Sequence, residues 1–192
     1  MWHSAYMTFY TKAVMTATLI AFVLIGTGVG LFMGAQHAEI LERHHQQFAA
    51  LYRNQMTEAL RQIVQNEIRF IRHQIAYEKI NTQTLQAQTL ERLGHLRFGS
   101  QNNGYFFVLD LHAIDGGPAF ATELLLPVAP ELEGKSIDEL HPDATGYLYR
   151  QDYLEQIREK GEATVTYSYL KPDTRQPAPK ISYLYHHKEW TW

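Results

Sequence analysis

Twenty-three consecutive residues, Ala13 to Ala35 (AVMTATLIAFVLIGTGVGLFMGA), carry neither a charge nor a proline. No other stretch restricts the possible folds as strongly. As a helix rising ~1.5 Å per residue the run reaches about 35 Å, enough for a hydrocarbon core of roughly 30 Å. A cleaved leader is the competing reading, with Lys12 as a thin basic flank and Gly34-Ala35 as small residues near a cut. The run exceeds the ~7 to 15 residues of a usual leader's apolar region and feeds directly into a further helical pattern. The expectation is therefore an uncleaved transmembrane helix over 13–35, preceded by a cytoplasmic N-terminus over 1–12. Gly26, Gly30 and Gly34 repeat at the spacing that permits close helix pairing, although glycine is also simply common in membrane spans. Lys12 on one flank and Glu39, Glu42 and Arg43 on the other give little bias toward either orientation.

Between Gln36 and Asn81 there is neither glycine nor proline, and Gln, Glu, Arg, Leu and Ile dominate. The pattern predicts one long helix. Leu60, Val64, Ile68, Ile71 and Ile75 step by four, four, three and four, which puts them on one face. Leu41, Phe48, Leu51 and Met56 extend apolar surface nearer the proposed span, and Glu39 precedes Arg43 by four in the favourable order. The stripe requires a partner: the domain that follows, the same helix of a second copy, or both in succession. A second helix is expected from Thr84 to about Leu96, so that helices occupy 36–96.

After Gly99 the texture changes to short β runs separated by turn residues. NGYFFVLD predicts a strand over Gly104 to Asp110, with Tyr105, Phe107 and Leu109 on one face and Phe106, Val108 and Asp110 on the other. Both faces are apolar enough to be covered. The Asp115-Gly116 turn signal leads to a second strand at Ala119 to Leu125. A Pro- and Gly-containing loop follows, then a helix over Gly146 to Lys160 ended by Gly161. Strands at Ala163 to Leu170 and Lys180 to His187 close the pattern. Pro172, Pro177 and Pro179 predict a loop between them, because proline cannot donate to a ladder. Helices followed by four antiparallel strands define an α+β domain, and Trp190 and Trp192 read as the approach to a further strand. The expected domain over 97–192 thus lacks its last strand.

Composition narrows the chemistry. With 45% apolar and 19% charged residues the chain can build one globular domain beyond its anchor. The absence of cysteine removes disulfides, thiolate metal sites and covalent c-type haem. Residues 1–100 hold nine Lys/Arg against six Asp/Glu, whereas residues 101–192 hold eight against fourteen. An acidic second half argues against nucleic acid as a partner. His44-His45 and His186-His187 are adjacent pairs whose members diverge on a helix or a strand, so neither pair makes a metal site alone. No HExxH, nucleophile elbow, phosphate loop or dinucleotide fingerprint occurs. Asp110, Asp115 and Glu123 lie near turns and read as capping, solvated carboxylates. No enzyme, metal or cofactor is indicated within these residues, although a catalytic output domain could lie downstream.

Four segments in order, RFGSQNNGYFFVLD, LLLPVAPELEGKSIDEL, GYLYRQDYLEQIREKGEATVTYSYLKP and PAPKISYLYHHKEWTW, resemble the single Cache domain of the second type. That module is a PAS-like extracytoplasmic sensor of bacterial chemoreceptors, histidine kinases and diguanylate cyclases. The likeness spans about Arg97 to Trp192, and the preceding span and long helix share the family's layout. It implies a PAS-like antiparallel sheet with flanking helices, a periplasmic location, and a pocket that takes small organic acids. The function implied is ligand sensing for signal transduction; a homodimer through the long helix is the expectation that the apolar stripe, and not the resemblance, supplies. The rival reading is a structural anchor whose helix dimerises and whose β domain contacts proteins without any small ligand.

A carboxylate ligand calls for a cation with directed donors and for hydroxyls that complete its hydrogen bonds. Arg97 matches the family's Arg before GYFF, and its alternative role is an exposed cation at a helix end. Lys180 matches the Lys that opens the family's KxSY strand, and Tyr105 matches the strand tyrosine, joined on its face by Phe107. Tyr167, Tyr169 and Tyr183 are further candidates, with Tyr185, on the expectation that equal parity on two strands lines one space. The sequence departs from the family at Leu126-Pro127, where many members carry a His-Pro whose imidazole reaches the ligand. That departure puts acetate- or propionate-like specificity in doubt.

Overall fold

The computed structural model describes residues 2–77, 81–171, 174 and 176–192, with side chains from residue 27 onward apart from 29, 31 and 38. One helix, α1, runs over Trp2–Tyr77. The chain divides into two compact units, Met1–Arg53 and Asn54–Trp192. Most side chains of the expected transmembrane segment lie outside the described residues. Among the described residues no helix is long and apolar enough to cross a membrane.

In the first unit, Glu39 and Arg43 form the expected exposed i,i+4 pair at 2.5 Å, and Gln46 donates to Glu42 at 3.0 Å. In the second unit the later part of α1 supplies the apolar stripe. Ile68 and Ile71 are buried against Leu85 and Trp190, with Val64, Tyr185 and Trp192 around them. The partner of this stripe is therefore the following domain itself, and Ile75 at its end stays exposed. The second helix, α2 (Thr82–His95), starts at Asn81, whose Oδ1 accepts from the Gln83 amide at 2.8 Å. Glu67 of α1 pairs with Arg92 of α2, whose guanidinium sits 4.2 Å from the Phe70 ring centroid.

Among the described residues seven strands follow: β1 (Arg97–Phe98), β2 (Gly104–Tyr105), β3 (Val108–Leu111), β4 (Ala121–Leu125), β5 (Ser136–Ile137), β6 (Glu162–Leu170) and β7 (Pro177–Tyr185), with α3 (Tyr149–Lys160) between β5 and β6. Every pairing is antiparallel, but the strands form three sheets, β1-β2, β3-β4-β5 and β6-β7, where one four-stranded sheet was expected. The strand expected over Gly104 to Asp110 divides because its two ends have different partners. Gly104 lies over Phe98, where a Cβ would run into the ring, whereas Val108–Leu111 pairs with β4 and shifts register between Val108 and Leu109.

The prolines also fall differently from expectation. Pro177 and Pro179 belong to β7, opposite Leu170 and Ser168. Within its sheet β7 has β6 as its single neighbour, so prolines at alternate positions are accommodated along its other edge. The main core lies where α3 packs on β6. Phe120 and Leu154 are its largest fully buried side chains, and Ile157, Ala163 and Val165 belong to the same cluster. Gly161 ends α3 in the left-handed region at φ 76°, donating to the Ile157 carbonyl at 2.8 Å.

Candidate ligand-binding site

The register of β6 and β7 determines what faces the interior. Tyr167 opposes Lys180 and Val165 opposes Ser182, and directly opposed residues share a face. Odd positions of β6 therefore lie with even positions of β7. Tyr167, Tyr169, Lys180, Ser182 and Leu184 line a cavity of about 70 Å³, completed by Phe107, Leu109 and Glu123 from β3, β4 and the segment before them, and by Tyr149 and Arg150 from α3. At roughly 10–15 Å³ per probe-sized water, that volume holds about five small groups.

Lys180 is the cation at the wall. Its Nζ donates to the Tyr105 hydroxyl at 2.6 Å and lies 4.5 Å from the ring centroids of both Tyr105 and Tyr169, with Phe107 at 5.3 Å and Tyr167 at 5.7 Å. Aromatic faces partly compensate the ammonium electrostatically but do not neutralise it. Burial lowers its pKa to about 8, and the nearby Glu123 works against that shift. The Tyr105 phenol is pushed upward by desolvation, so the 2.6 Å contact is a charged donor on a neutral hydroxyl. Among the described residues neither Lys180 nor Arg150 forms an ion pair with a carboxylate.

Arg150 stands in the first turn of α3. Its Nη1 donates to the Asp138 carbonyl at 2.7 Å, and its guanidinium lies 5.4 Å from the Tyr149 ring centroid. Tyr149 stacks on Tyr167 at 4.0 Å with the planes 2° apart, and Tyr169 meets Tyr167 edge-on at 6.0 Å. Tyr167 is tied to Ser182 through its hydroxyl at 3.2 Å. These rings lose little further rotamer freedom when a ligand arrives, which favours binding. Outside the lining, Asp143 ties the segment before α3 to β6 by accepting from the amides of Thr145, Tyr147 and Ser168 and from the Thr145 hydroxyl; those bonds, the hydroxyl's foremost, hold its pKa well below the usual range.

Glu123 is the residue the sequence misplaced. It is 8% exposed, on the middle strand of β3-β4-β5, opposite Leu109. Its backbone is held by the Lys135 carbonyl at 3.0 Å and the Gly134 amide at 2.7 Å. Desolvation raises its pKa to about 7 against the attraction of Lys180 and Arg150, and its Oε1 has no hydrogen-bond partner among the described residues. Leu126, where the resembled family often has histidine, is 5% exposed and also lines the cavity.

Of the sequence candidates, Phe107, Tyr167, Tyr169 and Lys180 line the cavity and Tyr105 reaches it through Lys180. Tyr183 does not: it opposes Thr164 on the other face of β6-β7, where its hydroxyl donates to Glu162 at 2.6 Å and accepts from Gln65 of α1 at 3.3 Å. Tyr185 shares that face and accepts from Arg72 at 2.9 Å. Arg97 is exposed, and its Nη1 donates to the Gly94 and Leu96 carbonyls at 2.8 Å, closing the C-terminus of α2. Arg150, Tyr149 and Glu123 were not anticipated. The signal for Tyr149 and Arg150 was their place at the start of a helix that must pack on the sheet.

Small antiparallel sheets and helices closed around an aromatic cavity with unpaired cations make a ligand-sensing module. The family model for single Cache domain 2 matches residues 41–192, and the chain belongs to that family. Cache sensor domains are non-catalytic ligand-binding modules of extracytoplasmic signal transduction. The chain is 25% identical over 113 residues to the methyl-accepting chemotaxis protein McpP of Pseudomonas putida, covering 59% of this chain and 19% of that protein. It thus spans about a fifth of that relative's length.

Two solved structures superpose with TM-scores of 0.60 at 26% identity. One, a periplasmic sensor domain of a chemotaxis protein, covers 72% of this chain and 90% of its own; the other, from work on carboxylic acid recognition by a Cache chemosensory domain, covers 74% and 90%. A methyl-accepting chemotaxis protein from Vibrio parahaemolyticus shares the fold at TM-score 0.54 and 23% identity, over 73% of this chain and 88% of its own.

Proposed function

We propose that this chain is the membrane-anchored, extracytoplasmic sensor of a bacterial signalling protein and that it binds a small organic acid. Residues 1–12 are cytoplasmic in this reading, 13–35 span the membrane, 36–96 provide the helices and 97–192 the sensor proper. The observation that carries it is Lys180, a half-buried ammonium hydrogen-bonded to a neutral phenol at 2.6 Å on the wall of the cavity. A carboxylate entering there gains a charge-assisted bond to an ammonium already stripped of much of its water. Arg150 supplies a second cation, Tyr105 and Ser182 supply hydroxyls, and the stacked tyrosines exclude solvent. The volume suits acids of two to four carbons. The carboxylic acid recognition named for one structural relative supports the same ligand class.

The test is isothermal titration of the full chain in detergent micelles with a panel of two- to four-carbon acids. Saturable binding that is lost in Lys180→Met is the expected result. No heat and no thermal shift with any acid, with the variant indistinguishable from the parent, would remove this reading.

Homodimerisation is proposed separately and rests on another observation. Phe48, Leu51 and Tyr52 are exposed on α1 and step by three and one, within one helical face. Cysteines introduced at His44 or Gln55, exposed positions on the same face, would crosslink in membranes if this face pairs with a second copy. Loss of crosslinking on Phe48→Ser, with ligand binding intact, is the expected outcome. Crosslinking unaffected by every acid, in a protein that binds none, would favour the anchor without a ligand instead.

A further inference from the structure

We infer that Glu123 makes the pocket selective for 2-hydroxy acids over plain alkanoates of the same size, an inference that rests on the carboxylate-binding reading above. A carboxylate in the wall of an anion site is unexpected. It repels the ligand class that Lys180 and Arg150 attract, and its Oε1 is buried without a hydrogen-bond partner among the described residues. An acceptor left unpaired in a low-dielectric site costs stability unless something supplies a donor. No side chain of the lining does so for Oε1.

A ligand carrying both a carboxylate and a neighbouring donor resolves both features. Its carboxylate meets Lys180, and its donor meets Glu123 on the facing sheet. The identity of the donor follows from charge. Lys180 and Arg150 act on Glu123, each favouring its ionised form, while Glu133, an exposed carboxylate outside the lining that accepts from the Leu126 amide at 2.8 Å, opposes them more weakly. One ionised glutamate and one ligand carboxylate balance those two cations. A neutral hydroxyl keeps the balance, whereas an ammonium adds a third positive charge inside the same wall. The donor is therefore a hydroxyl on the carbon next to the carboxylate. Leu126, which also lines the cavity, leaves an apolar surface for a short alkyl group.

The test compares lactate, propionate and alanine, which share a three-carbon skeleton, by titration into the full chain in detergent micelles at pH 7.5. Lactate is expected to bind about tenfold more tightly than propionate, because rejection of an analogue that leaves a buried acceptor unpaired is strong. In Glu123→Met, which keeps the volume and removes the acceptor, the two acids should bind alike, chiefly through tighter propionate. Equal affinities in the parent, or a lactate preference that survives in Glu123→Met, would overturn the inference while leaving the carboxylate site standing. Alanine binding more tightly than lactate would overturn the choice of a neutral donor. Binding of none of the three, with no acid of any kind recognised, would remove the carboxylate reading itself, and this inference with it. A parent lactate-to-propionate ratio near one overturns the inference even if Glu123→Met does not fold, and Glu123→Gln, which keeps the shape and cannot ionise, then replaces that variant in the comparison.

Discussion

The Lys180 ammonium donates to the Tyr105 hydroxyl at 2.6 Å, joining β7 to β2 although the two residues are 75 positions apart. The bond gives the cation one neutral partner and leaves its remaining donors for a ligand. Everything proposed for binding depends on the charge state of that one group.

Anion affinity should therefore fall in mild alkali. Lys180 is held at a pKa of about 8 by burial, so it is charged below that pH and neutral above it. Acid binding is expected to weaken by roughly tenfold per pH unit above about 8, as far as the bound complex requires the proton. Tyr105 and Tyr169 are both pushed upward by burial and stay neutral through this range, and Glu123 is already ionised. Lys180→Arg, whose charge does not titrate here, should flatten the profile. Titrations between pH 8 and 9.5, above the Glu123 pKa of about 7, check this, and a flat profile for the parent would separate Lys180 from the ligand.

Glu123→Gln should stabilise the fold at neutral and alkaline pH. The folded pKa of about 7 lies above the ordinary 4.5, so the folded state binds the extra proton and loses stability as pH rises from 4.5 through 7. The ionised group costs roughly 3 kcal/mol at pH 8. Thermal melts should place the variant several degrees above the parent at pH 8, with the gap closing below about pH 4.5. A variant that melts lower at pH 8 would mean that Glu123 is compensated by its cations.

His187 sets an acid limit. It is 4% exposed, with neither ring nitrogen hydrogen-bonded among the described residues, and burial lowers its pKa below the ordinary 6.5. The unfolded chain takes up this proton first, so the histidine contributes stability above about pH 6.5 that is lost as pH falls below it. His187→Phe should retain more stability at pH 5 relative to pH 7.5 than the parent does. Denaturant midpoints at the two pH values measure the difference.

The α1 stripe should discriminate sharply along its length. Ile71 is 4% exposed and Ile75 38%. Ile71→Ala is expected to cost about 2–5 kcal/mol, whereas Ile75→Ala stays near or below ~1 kcal/mol. Urea unfolding followed by tryptophan fluorescence would report both, since Trp190 and Trp192 pack beside Ile71. Equal costs would mean that Ile75 is covered in solution.

What the residues revealed and what they hid divides along one physical line. Patterns internal to an element were readable. The helix ending at Gly161, the amphipathic stripe at Ile68 and Ile71, and the shared side of Phe107 and Leu109 follow from local periodicity and chain chirality. Relations between elements were not. Tyr167 and Tyr183 have the same parity, yet they lie on opposite faces, because the antiparallel register pairs odd positions of β6 with even positions of β7. That offset is set by the connecting loop and not by either strand. Glu123 was read as a solvated carboxylate because turns flank its strand. Its burial comes from neighbours on both sides, β3 and β5, that local sequence does not announce. Lys180 and Tyr105 enter as candidates through the family resemblance; the hydrogen bond between them is visible only in the structure.

The two faces of β7 have a mechanical consequence. Lys180 and Ser182 line the cavity, while Tyr183 and Tyr185, one and three residues further on, are bonded to Gln65 and Arg72 of α1. Strand and helix share a party wall. If a ligand binds at Lys180 as proposed, it would pull on covalent backbone whose reverse side is fastened to the helix, and the readout would need no relay of side chains. The stiffness of one extended segment would set the gain of the sensor, and the two prolines at its start, Pro177 and Pro179, would raise that stiffness just ahead of Lys180.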